Sequence, residues 1–122
     1  MKIKVIKRDF TVCKVSDFGK IDLTDKYCFI GRTEEELSLI CSTKHAPAET
    51  LERNDGWRGF HILGELDFSL LGVVSEVSTI LSNSKISILA EATYNTDYFF
   101  VKAENFEKAM EILAEQDYKI IQ

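Results

Sequence analysis

An α+β fold on an antiparallel sheet is predicted by the order β-α-β-β-α-β, which three stretches of this chain make readable. Trp57-Arg58-Gly59-Phe60-His61-Ile62-Leu63 alternates faces like a half-buried strand. Leu70, Val73, Val74, Val77, Ile80 and Leu81 recur at three- and four-residue spacing, which lines one face of a helix. Ile86, Ile88, Ala90, Ala92 and Tyr94 then alternate at period two, as a strand does.

The remaining elements follow in order. Gly64-Glu65-Leu66-Asp67-Phe68-Ser69 breaks the first strand, and the helix over 70–82 turns Ser75, Glu76, Ser78 and Thr79 to water. Asn83-Ser84-Lys85 stops it. Asn95-Thr96-Asp97 makes the next turn, and a third strand over 98–102 leads into a helix over 104–116 with Phe106, Ala109, Met110 and Leu113 as its apolar stripe. Residues 118–121 close the pattern as a last strand. This is the split βαβ order of ferredoxin-like folds: a four-stranded antiparallel sheet with both helices on one face.

The first half reads differently. Residues 1–10 alternate Lys with Ile and Val, 10–15 read as a strand, and 16–20 as a turn or short helix. Residues 27–33 and 37–43 form a predicted hairpin around Glu34-Glu35-Glu36. A short helix is expected within 46–54, which holds the only proline, Pro47, and Asp55-Gly56 signals a turn.

Composition narrows the function. The chain has 122 residues, 45% hydrophobic and 29% charged, enough for one ordinary core or two small units. A formal charge of −5 argues against nucleic-acid binding, which draws its affinity from clustered Lys and Arg. Arg58-Gly59-Phe60 matches part of an RNA-binding signature, but on the first strand of its unit rather than the third. No apolar run is long enough for a signal peptide or a membrane helix, so no membrane association is expected and the cytoplasm is the default location. Cys13, Cys28 and Cys41 form no Cys-x-x-Cys pair and are odd in number; they read as small core residues. His45 and His61 do not pair at metal-ligand spacing, and His61 reads as a sheet-face residue. No metal site and no cofactor are expected.

The residues at the turns carry a resemblance. Gly64-Glu65-Leu66-Asp67-Phe68-Ser69-Leu70-Leu71-Gly72, then Ile86-Ser87-Ile88, then Thr93-Tyr94-Asn95-Thr96-Asp97-Tyr98 resemble the small bacterial tandem ACT-domain proteins and, more distantly, the arginine sensors of animals built from repeated ACT domains. Arg32-Thr33-Glu34-Glu35-Glu36-Leu37-Ser38 is similar to that family's first hairpin. The resemblance implies a reduced ACT-like half over residues 1–55, rich in β-structure, and a complete ACT domain over 56–122.

A helix beginning near Ser69 would leave its first backbone N–H groups without intrahelical partners, at an end suited to an anion. Gly72 would let a carboxylate approach the backbone closely. Asp67 and Asp97, at the ends of neighbouring strands, would supply negative charge for an ammonium group. The resemblance implies the same kind of ligand: a free amino acid or similar zwitterion at the strand-to-helix turn and the second strand, or at an interface between ACT units. The candidate ligand-binding residues are Asp67, Phe68, Ser69, Leu70, Gly72, Thr93, Tyr94, Asn95 and Asp97. Each has a plainer reading: Ser69 as helix cap, Asp67 and Asp97 as turn residues, Gly72 as a packing contact. Glu91-Ala92-Thr93 and Asn95 depart from the family's usual Ser and Asp, which leaves the ligand's identity open. No nucleophile–His pair or phosphate loop accompanies the carboxylates, so a non-catalytic regulatory protein is expected. It is expected to form a homodimer; the alternative is an ACT-type scaffold that binds a protein partner and no metabolite.

Overall fold

Apolar residues alternate with polar ones at both ends of one long strand, β1 (Lys2–Val15): Ile3 and Val5 are buried at the start and Cys13 and Val15 at the end. The computed structural model describes residues 1–63 and 72–122. The elements that follow are β2 (Cys28–Arg32), β3 (Leu37–Ser42), a 3-10 turn (Thr43–His45), β4 (Glu52–Ile62), α1 (Val73–Asn83), β5 (Leu89–Ala92), β6 (Asp97–Lys102), a second 3-10 turn (Ala103–Asn105), α2 (Phe106–Glu115) and β7 (Lys119–Ile121). Two compact units result: Met1–Lys7 with Arg58–Gln122, and Arg8–Trp57.

The first unit has the α+β architecture the sequence predicts. Its strands run in the order β7-β1-β4-β6-β5. β5 pairs β6 antiparallel, with Leu89 opposite Phe100 and Ala92 opposite Asp97. Val77 and Leu81 of α1 share one buried cluster with Phe106, Ala109, Met110 and Leu113 of α2 and with Ile3, Val5, Phe60, Ile62, Phe99 and Val101 of the strands. Both helices therefore cover the same sheet face. Two details differ from expectation. Val74, expected on the apolar face, is 39% exposed: α1 is rotated so that Val73, Val77, Ile80 and Leu81 of that face meet the core and Val74 falls at its edge. The sheet also takes in the first residues of β1, and β7 pairs them in parallel, Lys2 opposite Lys119 and Lys4 opposite Ile121. Ile3 and Val5 earn that place by burying their side chains under the helices.

The second unit has strand order β2-β3-β1-β4. β2 and β3 form the expected hairpin, Arg32 opposite Leu37, and β3 pairs β1 antiparallel from Phe10↔Ser42 to Val15↔Leu37. Its buried cluster is Cys13, Val15, Leu39 and Cys41, with Phe18, Ile21 and Ala46 packed on it; Cys28 belongs there too but is only half-buried. Residues 46–51 form no helix, and β4 starts at Glu52. The Leu51 amide donates to the Lys14 carbonyl at 2.7 Å, so pairing with β1 draws this stretch into extended form. Asp55-Gly56 is likewise no turn. It lies inside β4, where Gly56 takes φ +83 and Asp55 Oδ1 accepts from Thr11 Oγ1 at 2.6 Å and Arg53 Nε at 2.9 Å. A positive φ inside a strand is a glycine's role at a local kink.

One pattern recurs in both units. β3 is six residues long and runs into a three-residue 3-10 turn, and β6 does the same. Ahead of each stands a threonine-closed hairpin turn: Thr33 N donates to Glu36 O at 3.0 Å, and Thr93 N to Thr96 O at 2.9 Å.

Candidate functional site

The turn at 93–96 owes its shape to its two threonines. Thr93 Oγ1 donates to the Thr96 carbonyl at 2.8 Å and accepts from Thr96 N at 3.4 Å. Thr96, only 7% exposed, turns its own hydroxyl inward and donates to the Ile62 carbonyl at 2.8 Å. The turn is thus anchored at the end of β4. It holds Thr93, Tyr94 and Asn95 outward, Tyr94 at 80% exposure, while Asp97, half-buried, opens β6. Next to it Tyr98 stacks on His61, ring centroids 4.8 Å apart, so His61 is a sheet-face residue as its position in the strand predicts.

α1 supplies the other expected wall. Its N-cap is Gly72, in left-handed conformation at φ +86, and Glu76 N donates to Gly72 O at 2.7 Å. The helix therefore starts at Val73, and the cap position expected for Ser69 belongs to Gly72, which has no side chain to cap with. Its first amides still point away from any intrahelical acceptor, the arrangement suited to a carboxylate. Glu76, in the first turn, accepts from the Tyr118 hydroxyl at 2.6 Å. Burial, and then that bond, push the Tyr118 phenol well above its ordinary range, so it stays a donor.

Among the nine candidate residues, Thr93, Tyr94, Asn95 and Asp97 come together in one turn and Gly72 stands at the helix start; Asp67, Phe68, Ser69 and Leu70 lie outside the described residues. Thr96 was missed by the sequence reading. Its signal was the Thr-x-x-Thr spacing across a turn, where the second hydroxyl sits on the buried side. The second unit holds a cleft of about 280 Å³ between the end of β1, at Lys14 and Ser16, and the turn carrying Glu34, Glu35 and Glu36. A more open cleft of about 460 Å³ runs along the end of α1 past Ser78, Ser82, Lys85 and Ser87. Ser78 and Ser82 there spend their hydroxyls on the Ser75 and Thr79 carbonyls of the helix. Among the described residues no group of His, Cys, Asp and Glu is arranged to hold a metal ion, and no helix is long and apolar enough to cross a membrane.

This is the geometry of an ACT unit, and comparison agrees. The ACT-domain family profile matches residues 52–115. The chain belongs to the ACT-domain family. Its fold is similar to that of the Agrobacterium tumefaciens protein Atu0741, at 25% identity and TM-score 0.86 over 98% of this chain and 91% of that one. A protein of unknown function from Vibrio cholerae matches at 23% identity and TM-score 0.71, over 92% of this chain and 86% of its own. The regulatory subunit of aspartate kinase from Thermus thermophilus matches at 10% identity and TM-score 0.63, over 94% and 96% of the two chains. No curated protein matches the sequence.

Proposed function

We propose that this chain is a small regulatory ACT protein that binds a free amino acid or similar zwitterion between the α1 entry and the 93–97 turn. The observation that carries the reading is the anchored turn of an ACT-family chain: Thr93 and Thr96 fix the backbone, so Asp97 is held in place before a ligand arrives. Preorganisation of this kind lowers the ordering cost of binding. The ammonium would meet Asp97, with Asp67 as a further counter-charge, and the carboxylate would meet the amides that follow Gly72; Phe68, Ser69 and Leu70 complete the proposed wall. In this reading residues 56–122 are the complete ACT domain and 1–55 its reduced companion. The protein acts in the cytoplasm as a homodimer and regulates by association rather than catalysis, since a ligand shifts only arrangements it contacts unequally.

Thermal shift with each of the twenty amino acids tests this. At one hundred times its dissociation constant a ligand adds about 2.7 kcal/mol to stability. For a chain of this size that is roughly 10 °C in Tm. One or a few amino acids should respond, Asp97→Ala should abolish the response, and Glu107→Ala on α2 should keep it. No response from any amino acid would defeat the reading. One observation favours the scaffold alternative: Leu63, Val74 and Tyr94 are large apolar side chains left exposed in the ACT unit. If the amino acids fail, retention of a partner by the wild type but not by Tyr94→Ala would establish it.

A further inference from the structure

Residues 16–27 connect β1 to β2 and pack Phe18 and Ile21 on the Cys13, Val15, Leu39 and Cys41 cluster. The segment folds on its own side chains: Gly19 N donates to Asp17 Oδ1 at 2.8 Å, and Thr24 N to Asp22 Oδ1 at 3.0 Å. Its far end is fastened by charge. Asp25 Oδ1 accepts from Arg8 Nη1 of β1 at 2.5 Å, and the Asp25 side chain is only 6% exposed. The other carboxylate oxygen, Asp25 Oδ2, is buried and accepts no hydrogen bond among the described residues. What faces it is His45, from the 3-10 turn after β3, with Nε2 at 3.9 Å. The same ring brings Nδ1 to 3.1 Å from Asp22 Oδ2.

One imidazole thus stands between two carboxylates of one segment, a ring nitrogen turned to each. A neutral imidazole carries one N–H and the imidazolium two, so only the charged ring can donate towards both. When it is neutral, both carboxylates lose the opposite charge that faces them, and for the buried, unbonded Asp25 oxygen that is the costly case.

We propose that residues 16–27 are a pH-sensitive strap, latched by His45 between Asp22 and Asp25, which loosens as the imidazole loses its proton. Histidine is the side chain whose charge changes between about pH 5 and 8. The groups around it leave that change in command. Asp22 is held below the usual carboxylate range by the Thr24 hydroxyl and amide, and Asp25 by the Arg8 guanidinium, so both stay anionic across this window. Cys28 of β2 faces the same carboxylates, but burial, and then Asp25 and Asp22, push its thiol up and keep it neutral. Arg8 is fixed positive; it spends one nitrogen on Asp25 and Ser42 and lies 5.1 Å from the Tyr27 ring centroid. Lys44 stands beside His45 in the chain. The strap is therefore tighter with the imidazole charged than with it neutral. Loosening it would uncover the apolar face beneath Phe18 and Ile21, next to Leu23, which is already 72% exposed.

Amide hydrogen exchange of the full chain, corrected for intrinsic rate, tests the latch. Protection of residues 17–27 should fall several-fold from pH 5.5 to 8 in the wild type, in keeping with the small free energies of partly exposed ion pairs. In His45→Gln the same amides should show low, pH-independent protection, and Asp22→Asn, a change at an exposed carboxylate, should flatten the profile too. Protection of residues 38–42 in β3 should not move. Wild-type protection that is flat with pH, or an unchanged profile in His45→Gln or Asp22→Asn, overturns the proposal.

Discussion

The Thr96 hydroxyl donates to the Ile62 carbonyl at 2.8 Å, across thirty-four residues of sequence, and fixes the 93–97 turn to the end of β4. Thr96→Val keeps the shape and removes the donor. A loss of about 1–3 kcal/mol is expected by urea denaturation, the range for a buried hydrogen bond whose acceptor is left behind. The same variant should weaken the amino-acid response without touching Asp97.

Leu81 is fully buried in the cluster that joins both helices to the sheet. Leu81→Ala is expected to cost about 2–5 kcal/mol, as emptied core leucine sites do. Val74→Ala, one face away and exposed, should stay within about 0.5 kcal/mol. Equal losses in the two variants would contradict the observed rotation of α1.

Acid should weaken the second unit through Asp25. Its folded-state pKa is depressed, first by the Arg8 hydrogen bond, so its contribution is present above the unfolded aspartate value of about 3.9 and lost as pH falls through the lower folded value. Trp57, the only tryptophan and nearly buried, reports on this unit by fluorescence. Between pH 5 and 2.5 the wild type should lose more stability than Asp25→Asn.

Thiol reagents should separate the cysteines. Burial pushes the Cys41 thiol up to about 12 and also raises Cys13 and Cys28, so all three react slowly near neutrality. Cys28, half-buried, should label first in the native protein, and Cys13 and Cys41 only on unfolding. Mass spectrometry of the labelled peptides checks the order.

Much of the ACT unit was legible because its elements carry their signals locally. The stripes of α1 and α2 and the Asn-Thr-Asp turn need no distant partner to be read. Boundaries set by distant contacts were not. β5 is confined to Leu89–Ala92, though alternation runs from Ile86 to Tyr94, because the Ile86 amide is spent on the Leu81 carbonyl at the end of α1. Residues 46–51, expected as helix, are irregular, and 52–56, expected as the helix end and a turn, are strand, with Lys14 and Thr11 of β1 as partners of Leu51 and Asp55, which no local propensity encodes. In the site, the turn's exposed residues were readable from their types, whereas Thr96 depends on a carbonyl far away in sequence. His45 was read only against metal spacing, and its two carboxylates are brought to it by the path of residues 16–27.

The parallel pairing of Lys2–Lys4 with Lys119–Ile121 carries a consequence for synthesis. The Lys119 amide donates to the Met1 carbonyl at 2.9 Å, so residues 2–4, made long before residues 119–121, wait for them before this side of their sheet is complete. Until then Lys2, Ile3 and Lys4 lack the neighbour on that side and present an unpaired strand edge. Contacts of such long sequence separation slow folding and leave edges open to wrong partners. The hairpin β2–β3, local in sequence, can form long before, and the lysines at positions 2 and 4 supply the charge that keeps the waiting strand from pairing with another chain.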